Sequence, residues 1–145
     1  MSEQGLLIAH FLGAVVMTAV IWFVQLVQYP MFARIGPLEF PAYATEYQRR
    51  VGWIVIGPML LEVATAVGLV IWHSSFASRP AMIAALILLG VAWLSTFFVQ
   101  VPIHERLRLA KDEAAIHRLV STNWGRTIAW TGRAVLTGAL VFGGR

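Results

Sequence analysis

Asn123, Arg126, Trp130 and Arg133 follow one another at intervals that an α-helix turns to a single side. At ~100° per residue they fall within an arc of about 80°, so a helix here carries an amide, two guanidiniums and an indole along one stripe. Two guanidiniums on one face call for anions, whether a carboxylate, a lipid phosphate or an anionic or enolate substrate. Glu62 is the carboxylate that lies in the middle of an apolar run. It stands 11 residues past Val51, as Arg133 stands 10 past Asn123. The two are therefore expected level and in contact, because an unpaired charge at the centre of a membrane span costs ~2.5–3.5 kcal/mol on insertion scales. Such a pair serves either as the heart of a substrate or proton pathway or as a clamp holding two helices in register.

A second set gathers toward one end of the same runs: Gln25 and Gln28, Gln100, then His104 and Glu105 just past Pro102. Taken singly, each amide reads as interhelical glue. Together with Asn123 and Arg126 they form a candidate pocket, since polar groups within membrane spans mark function. Arg126 can find its anion in Glu46, Glu105, a lipid or a substrate. His10 stands apart, near the opposite end, where His73 is the partner at comparable depth for a haem. No span carries His-x-x-x-His or Glu-x-x-His spacing, so no metal site is expected. Met17, Trp22 and Trp93 read as packing residues. With no cysteine in the chain, disulfides, thiolate metal sites and thiol chemistry are excluded.

The elements that must position these groups follow from composition. Of 145 residues, 59% are hydrophobic and 12% charged, about half the charged share of a soluble domain. The mean hydropathy is +0.73. Four apolar runs, Leu6 to Val27, Val51 to Trp72, Ala81 to Val101 and Trp124 to Phe142, each approach the ~20 residues that cross a bilayer. The first is too long for a signal-peptide core and leads into Gln-Tyr-Pro rather than a small-residue cleavage site. The expectation is an all-α integral membrane four-helix bundle in one domain, with helices at about 6–28, 51–73, 80–102 and 122–143. Gly57-Pro58 predicts a kink one turn before Glu62. No internal repeat is expected.

Between the runs, Phe40, Tyr43, Tyr47 and Arg50 recur at helical spacing behind Pro41, predicting a short interfacial helix. Asp112 predicts a cap for a turn carrying Ile116, Leu119 and Val120. Trp53, Trp72 and Trp124 stand at span ends as interfacial anchors. The net charge of +4 and pI near 10.4 come from basic residues at span ends, not from a continuous aromatic-interleaved patch, so nucleic acid is not an expected partner. Membrane lipid and a hydrophobic small molecule are, with a second copy of the chain as a further partner.

The segments Gln25-Leu-Val-Gln-Tyr-Pro-Met-Phe, Pro58-Met-Leu-Leu-Glu62, Gln100-Val-Pro-Ile-His104 and Asn123-Trp-Gly-Arg-Thr127, with Trp130 and Arg133, resemble small bacterial four-helix membrane proteins of unassigned function over nearly the whole chain. Through the Asn-Trp-x-Arg-Thr stretch the chain also resembles, more distantly, the membrane family that includes the fungal anthrone oxygenases. That resemblance implies a cofactor-independent, oxygenase-like or quinone-type enzyme of the cell inner membrane acting on a hydrophobic aromatic. In that chemistry His104 or Glu62 removes a phenolic proton, Arg126 and Arg133 stabilise the oxyanion, and Gln25, Gln28, Gln100, Asn123 and Trp130 hold the substrate. The same residues also fit a small proton-coupled transporter of hydrophobic compounds, or an accessory protein whose polar core fixes helix packing.

Arg34, Arg49, Arg50, Arg106, Arg108, Lys111 and Arg118 lie in the segments Tyr29 to Arg50 and Pro102 to Asn123, whereas the other side of a four-span layout holds Arg79 and Arg145. The positive-inside rule then places both segments in the cytoplasm and both termini outside. Fusions to a reporter active only outside the cytoplasm check this: silence after Lys111 and activity at Arg145 is expected, and the reverse pattern overturns the orientation.

Overall fold

The computed structural model describes residues 2–73 and 79–143. Residues 74–78, between the second and third expected helices, lie outside the described residues, as does Arg145. Among the described residues every regular element is helical. Four long helices run as α1 (Glu3–Phe32), α2 (Phe40–Trp72), α3 (Pro80–Leu107) and α4 (Glu113–Phe142). The first three are long and apolar enough to cross a membrane. Polar and charged residues from Glu113 to Arg133 keep α4 short of that standard.

The helices outrun the apolar runs that predicted them. The short interfacial helix read as running into the second span, and the capped turn read as leading into the fourth, are the opening turns of α2 and α4, continuous with the apolar part. Their residues explain this, because both Ala42 to Arg50 and Glu113 to Leu119 are rich in Ala, Glu, Gln, Arg and Leu, with no proline or glycine to interrupt them. The links shrink to 33–39 and 108–112. They meet at one end, where Lys111 Nζ donates to the carbonyls of Ala33 and Ile35, each at 2.9 Å. α2 opens with Pro41 in its first turn, where the missing N–H costs nothing.

α1 and α3 share a feature not foreseen from the sequence. Each contains a five-residue π segment, Val24–Gln28 and Thr96–Gln100. In each the next N–H reaches back five residues, from Tyr29 to Val24 O and from Val101 to Thr96 O. Each ends on a glutamine followed by x-Pro, within Val27-Gln28-Tyr29-Pro30 and Val99-Gln100-Val101-Pro102. A proline ring clashes with the carbonyl four residues back and leaves it without a donor, and widening the turn is one way a helix absorbs that. The extra residue also advances the following side chains around the helix. Gln25 with Tyr29, and Gln100 with His104, face inward.

α4 packs along α1 and α3, α1 also packs along α2, and α2 and α4 face each other across the bundle. The interior is built in layers. One apolar cluster lies at the linker end around Tyr29, Phe32, Phe40, Leu107 and Leu119. A second holds Met17, Ile21, Met59, Ala92 and Trp130, and a third, toward the termini, holds Leu6, Leu7, Leu69 and Met82. The polar residues fall between them along every helix. His10, Glu62 and Arg133 separate the second cluster from the third, while Gln25, Gln100, Asn123 and Arg126 separate the first from the second.

Helix α4 starts at Asp112, whose side chain accepts from Ala115 N–H at 3.0 Å and pairs with Arg106 at 2.5 Å. These contacts, the Ala115 N–H foremost, hold the carboxyl below its ordinary value. A depressed carboxyl contributes stability that is complete above pH ~4 and is lost as pH falls through the folded value. Amide exchange at Ala115 and Ile116 should therefore stay slow down to that point and quicken below it. Asp112→Ala should show the quickened exchange already at neutral pH.

Candidate functional site

The residues expected to act as one set form two layers joined by Trp130. In the deeper layer the Glu62 carboxylate is completely buried, with Oε1 against Arg133 Nη1 and Oε2 accepting from Trp130 Nε1 at 3.1 Å. Arg133 is equally buried. Its Nε donates to the Ala85 carbonyl of α3 at 3.2 Å and its Nη2 to His10 Nε2 of α1 at 3.3 Å. A His10 that accepts at Nε2 carries its proton on Nδ1, which then donates to Thr65 Oγ1 at 2.9 Å. Thr65 in turn donates to Leu61 O at 2.7 Å. One carboxylate and one guanidinium thus engage side chains or backbone from all four helices.

The approach of α1 to this layer depends on Gly13. A Cβ there would stand 2.8 Å from Glu62 Cγ, closer than side chains pack, so the missing side chain makes room for the carboxylate stem.

The second layer is organised around Arg126, 7% exposed. Its Nη1 donates to Asn123 Oδ1 at 3.1 Å, Asn123 Nδ2 donates to Gln25 Oε1 at 2.8 Å, and Gln25 Nε2 donates to the Val120 carbonyl at 3.2 Å. Every amide is oriented by the one before it. This relay holds the guanidinium in place without an anion. The carboxylates considered for it are occupied elsewhere, Glu46 by Arg49 and Arg50, and Glu105 by Gln48 and Arg108. Arg126 also lies over the Trp130 ring, 5.2 Å from its centroid, a cation–π contact that links the two layers.

Arg126 lines a cavity of about 140 Å³ with Gln100, His104, Tyr29, Tyr47 and Gln48 among its walls. His104 Nε2 and the Tyr29 hydroxyl are hydrogen-bonded at 2.9 Å. Gln100 Nε2 donates to Thr122 at 3.0 Å, while Gln100 Oε1 and Arg126 Nε are buried and have no hydrogen-bond partner in the protein. One unpaired donor and one unpaired acceptor thus belong to residues that also line the cavity. A buried polar atom left unpaired costs about 1–3 kcal/mol.

Of the sequence-predicted residues, His104, Arg126 and Gln100 line the cavity, and Asn123 and Gln25 support it from behind. Glu62, Arg133 and Trp130 belong to the filled layer beneath. Gln28 lies outside the cavity, donating to the Tyr43 hydroxyl at the start of α2, much as Gln100 donates to Thr122 on α4. His10 is not apart from the site, as expected, but inside the Glu62–Arg133 layer, with both ring nitrogens engaged. His73 lies instead beside Glu3, at 3.6 Å, so the two do not form a haem pair. Among the described residues no three His, Asp or Glu side chains converge as metal ligands. The sequence reading missed Tyr29, Tyr47 and Thr65. The Val-Gln-x-Pro signature was the signal that could have found Tyr29. No protein-family model, curated protein or solved structure matches the chain.

Arg133→Leu should cost ~3–5 kcal/mol, because it strands the Glu62 carboxylate among apolar clusters. The double substitution Glu62→Leu with Arg133→Leu should recover most of that loss, since it removes both charges. Thermal or urea unfolding of the three proteins in detergent measures this. A double variant no more stable than the single one would mean the charges are not what holds the layer.

Proposed function

We propose that this chain is a multi-pass protein of the cell inner membrane, with the 33–39 and 108–112 links in the cytoplasm, that works as an oxygenase-like or quinone-type enzyme on a hydrophobic aromatic carrying a phenolic oxygen. Support for the membrane comes from three helices of spanning length whose outward faces are apolar, as at Phe23, Leu60, Ile87 and Phe98. Its basic residues cluster at the linker end.

The observation that carries the activity is Arg126, a buried cation bound by the neutral amide of Asn123 and facing no carboxylate, in the wall of a cavity that also holds the His104–Tyr29 pair. A guanidinium so placed favours an oxygen that becomes negative. His104, directly or through Tyr29, is placed to take the phenolic proton. The resulting phenolate is electron-rich at its ring carbons and adds dioxygen there. With loss of the ring proton and cleavage of the O–O bond, the phenol and one dioxygen give a quinone and one water. Glu62 and Arg133 support this site through Trp130 and do not take part in the proton step. Their enclosure also favours the clamp over the transporter, because a carboxylate with both oxygens bound and no exposure has no route to either side.

Arg126→Leu and His104→Ala should still fold and should each cost only ~1–3 kcal/mol, since they leave Asn123 Oδ1 or the Tyr29 hydroxyl unpaired but strand no buried charge. Each should lower phenol-dependent dioxygen uptake, Arg126→Leu by ~10²–10³ and His104→Ala by ~10²–10⁴. Uptake is followed with an oxygen electrode on protein in detergent or vesicles. Unchanged uptake, or uptake absent from the wild type for every phenol tried, would leave the layer as helix glue.

A further inference from the structure

The substrate's shape can be read from the space around Arg126. The cavity holds about 140 Å³, close to the ~150 Å³ that takes up one benzene ring in an engineered apolar cavity. A second, larger space of about 430 Å³ lies along the outer cleft between α1 and α2, lined by Ala19, Phe23 and Ile54. The two share walls at Val20, Val24, Tyr47 and Val51. Where the small cavity has amide, imidazole and guanidinium groups, the long groove is almost wholly apolar, with Gln28 and Arg50 as its polar residues. Phe23 and Ile54 are both more than half exposed, so the groove opens sideways on the apolar flank.

Resting on the enzyme reading above, we propose that the substrate is a single-ring phenol bearing an apolar chain. The ring sits in the Arg126 cavity, the chain lies in the α1–α2 groove, and the molecule enters laterally between those helices. The polar walls suit a particular head group. A hydroxyl can accept from the Arg126 guanidinium and donate to the Gln100 amide or the His104 imidazole, which line the cavity with it. A methyl ether or a quinone carbonyl only accepts. The oxidised product is therefore held less well than the phenol that gives rise to it, which favours its release. A three-ring substrate of the anthrone kind exceeds the cavity.

The test uses 3-octylphenol, its methyl ether 3-octylanisole, phenol and the three-ring 1-anthrol. Binding to the purified protein in detergent is measured by calorimetry, with concentrations expressed as mole fraction in the micelle so that partitioning is common to all. Ala19→Phe fills the groove from an exposed position that is not part of the ring cavity. The wild type should bind 3-octylphenol at least about tenfold more tightly than 3-octylanisole, and more tightly than either phenol or 1-anthrol. Ala19→Phe should weaken 3-octylphenol about tenfold or more and leave phenol unchanged. If Ala19→Phe leaves 3-octylphenol untouched, or 1-anthrol binds as well as 3-octylphenol, the chain-and-ring assignment is overturned while the phenol site stands. If no phenol binds, or Arg126→Gln leaves phenol binding intact, the enzyme reading fails and this inference with it.

Discussion

A carboxylate and a guanidinium, both removed from solvent, hold the centre of this bundle. Taking two charges out of water costs several kcal/mol apiece, and their attraction repays it only when geometry is good and every remaining polar atom is bonded. Here that condition is met by contributions from each helix: imidazole from α1, carboxylate and hydroxyl from α2, a carbonyl from α3, and guanidinium and indole from α4. None of the four can be withdrawn without leaving a buried polar atom unpaired. Apolar clusters above and below exclude water, which makes each of these bonds stronger and each omission more costly.

The second polar layer obeys a different rule. Its cation meets amides instead of an acid, and the relay from Arg126 to Val120 O fixes position without neutralising charge. A saturated layer and an unsaturated one thus stand a few turns apart in the same bundle, with Trp130 touching both. The saturated layer has its buried polar atoms bonded, while the unsaturated one leaves Gln100 Oε1 and Arg126 Nε without partners. The π segments belong to this second layer. They lie in α1 and α3 at the depth of Gln25, Tyr29, Gln100 and His104, all of which face the interior.

Much of this was legible in the residue order, and what was not has identifiable causes. The stripe on α4 and the Glu62–Arg133 contact follow from helical periodicity and the cost of a lone charge, both of which hold whatever the tertiary detail. The extent of α2 and α4 was underestimated because apolar content was taken to mark helix ends, whereas Ala, Glu, Gln and Arg carry a helix on without it. His10 was misplaced because relative depth across helices depends on where each begins and how it crosses its neighbours, which spacing within one helix cannot reveal. Arg126 was expected to find an acid. Glu46 and Glu105 are drawn off by arginines three or four residues along their own helices, a local competition that a search for cross-bundle partners passes over.

The alternation of apolar clusters with two polar layers also acts as a vernier. Apolar faces alone tolerate sliding, since one leucine packs much like the next, and a helix displaced by a turn moves only ~5.4 Å. In this bundle such a slip would carry His10, Glu62 or Arg133 against aliphatic side chains and take Gln25, Asn123 or Gln100 out of line in the same motion. Two graduations at different heights must coincide together, so the axial setting of each helix is determined to within a fraction of a turn. The small cavity at Arg126 inherits its dimensions from that setting.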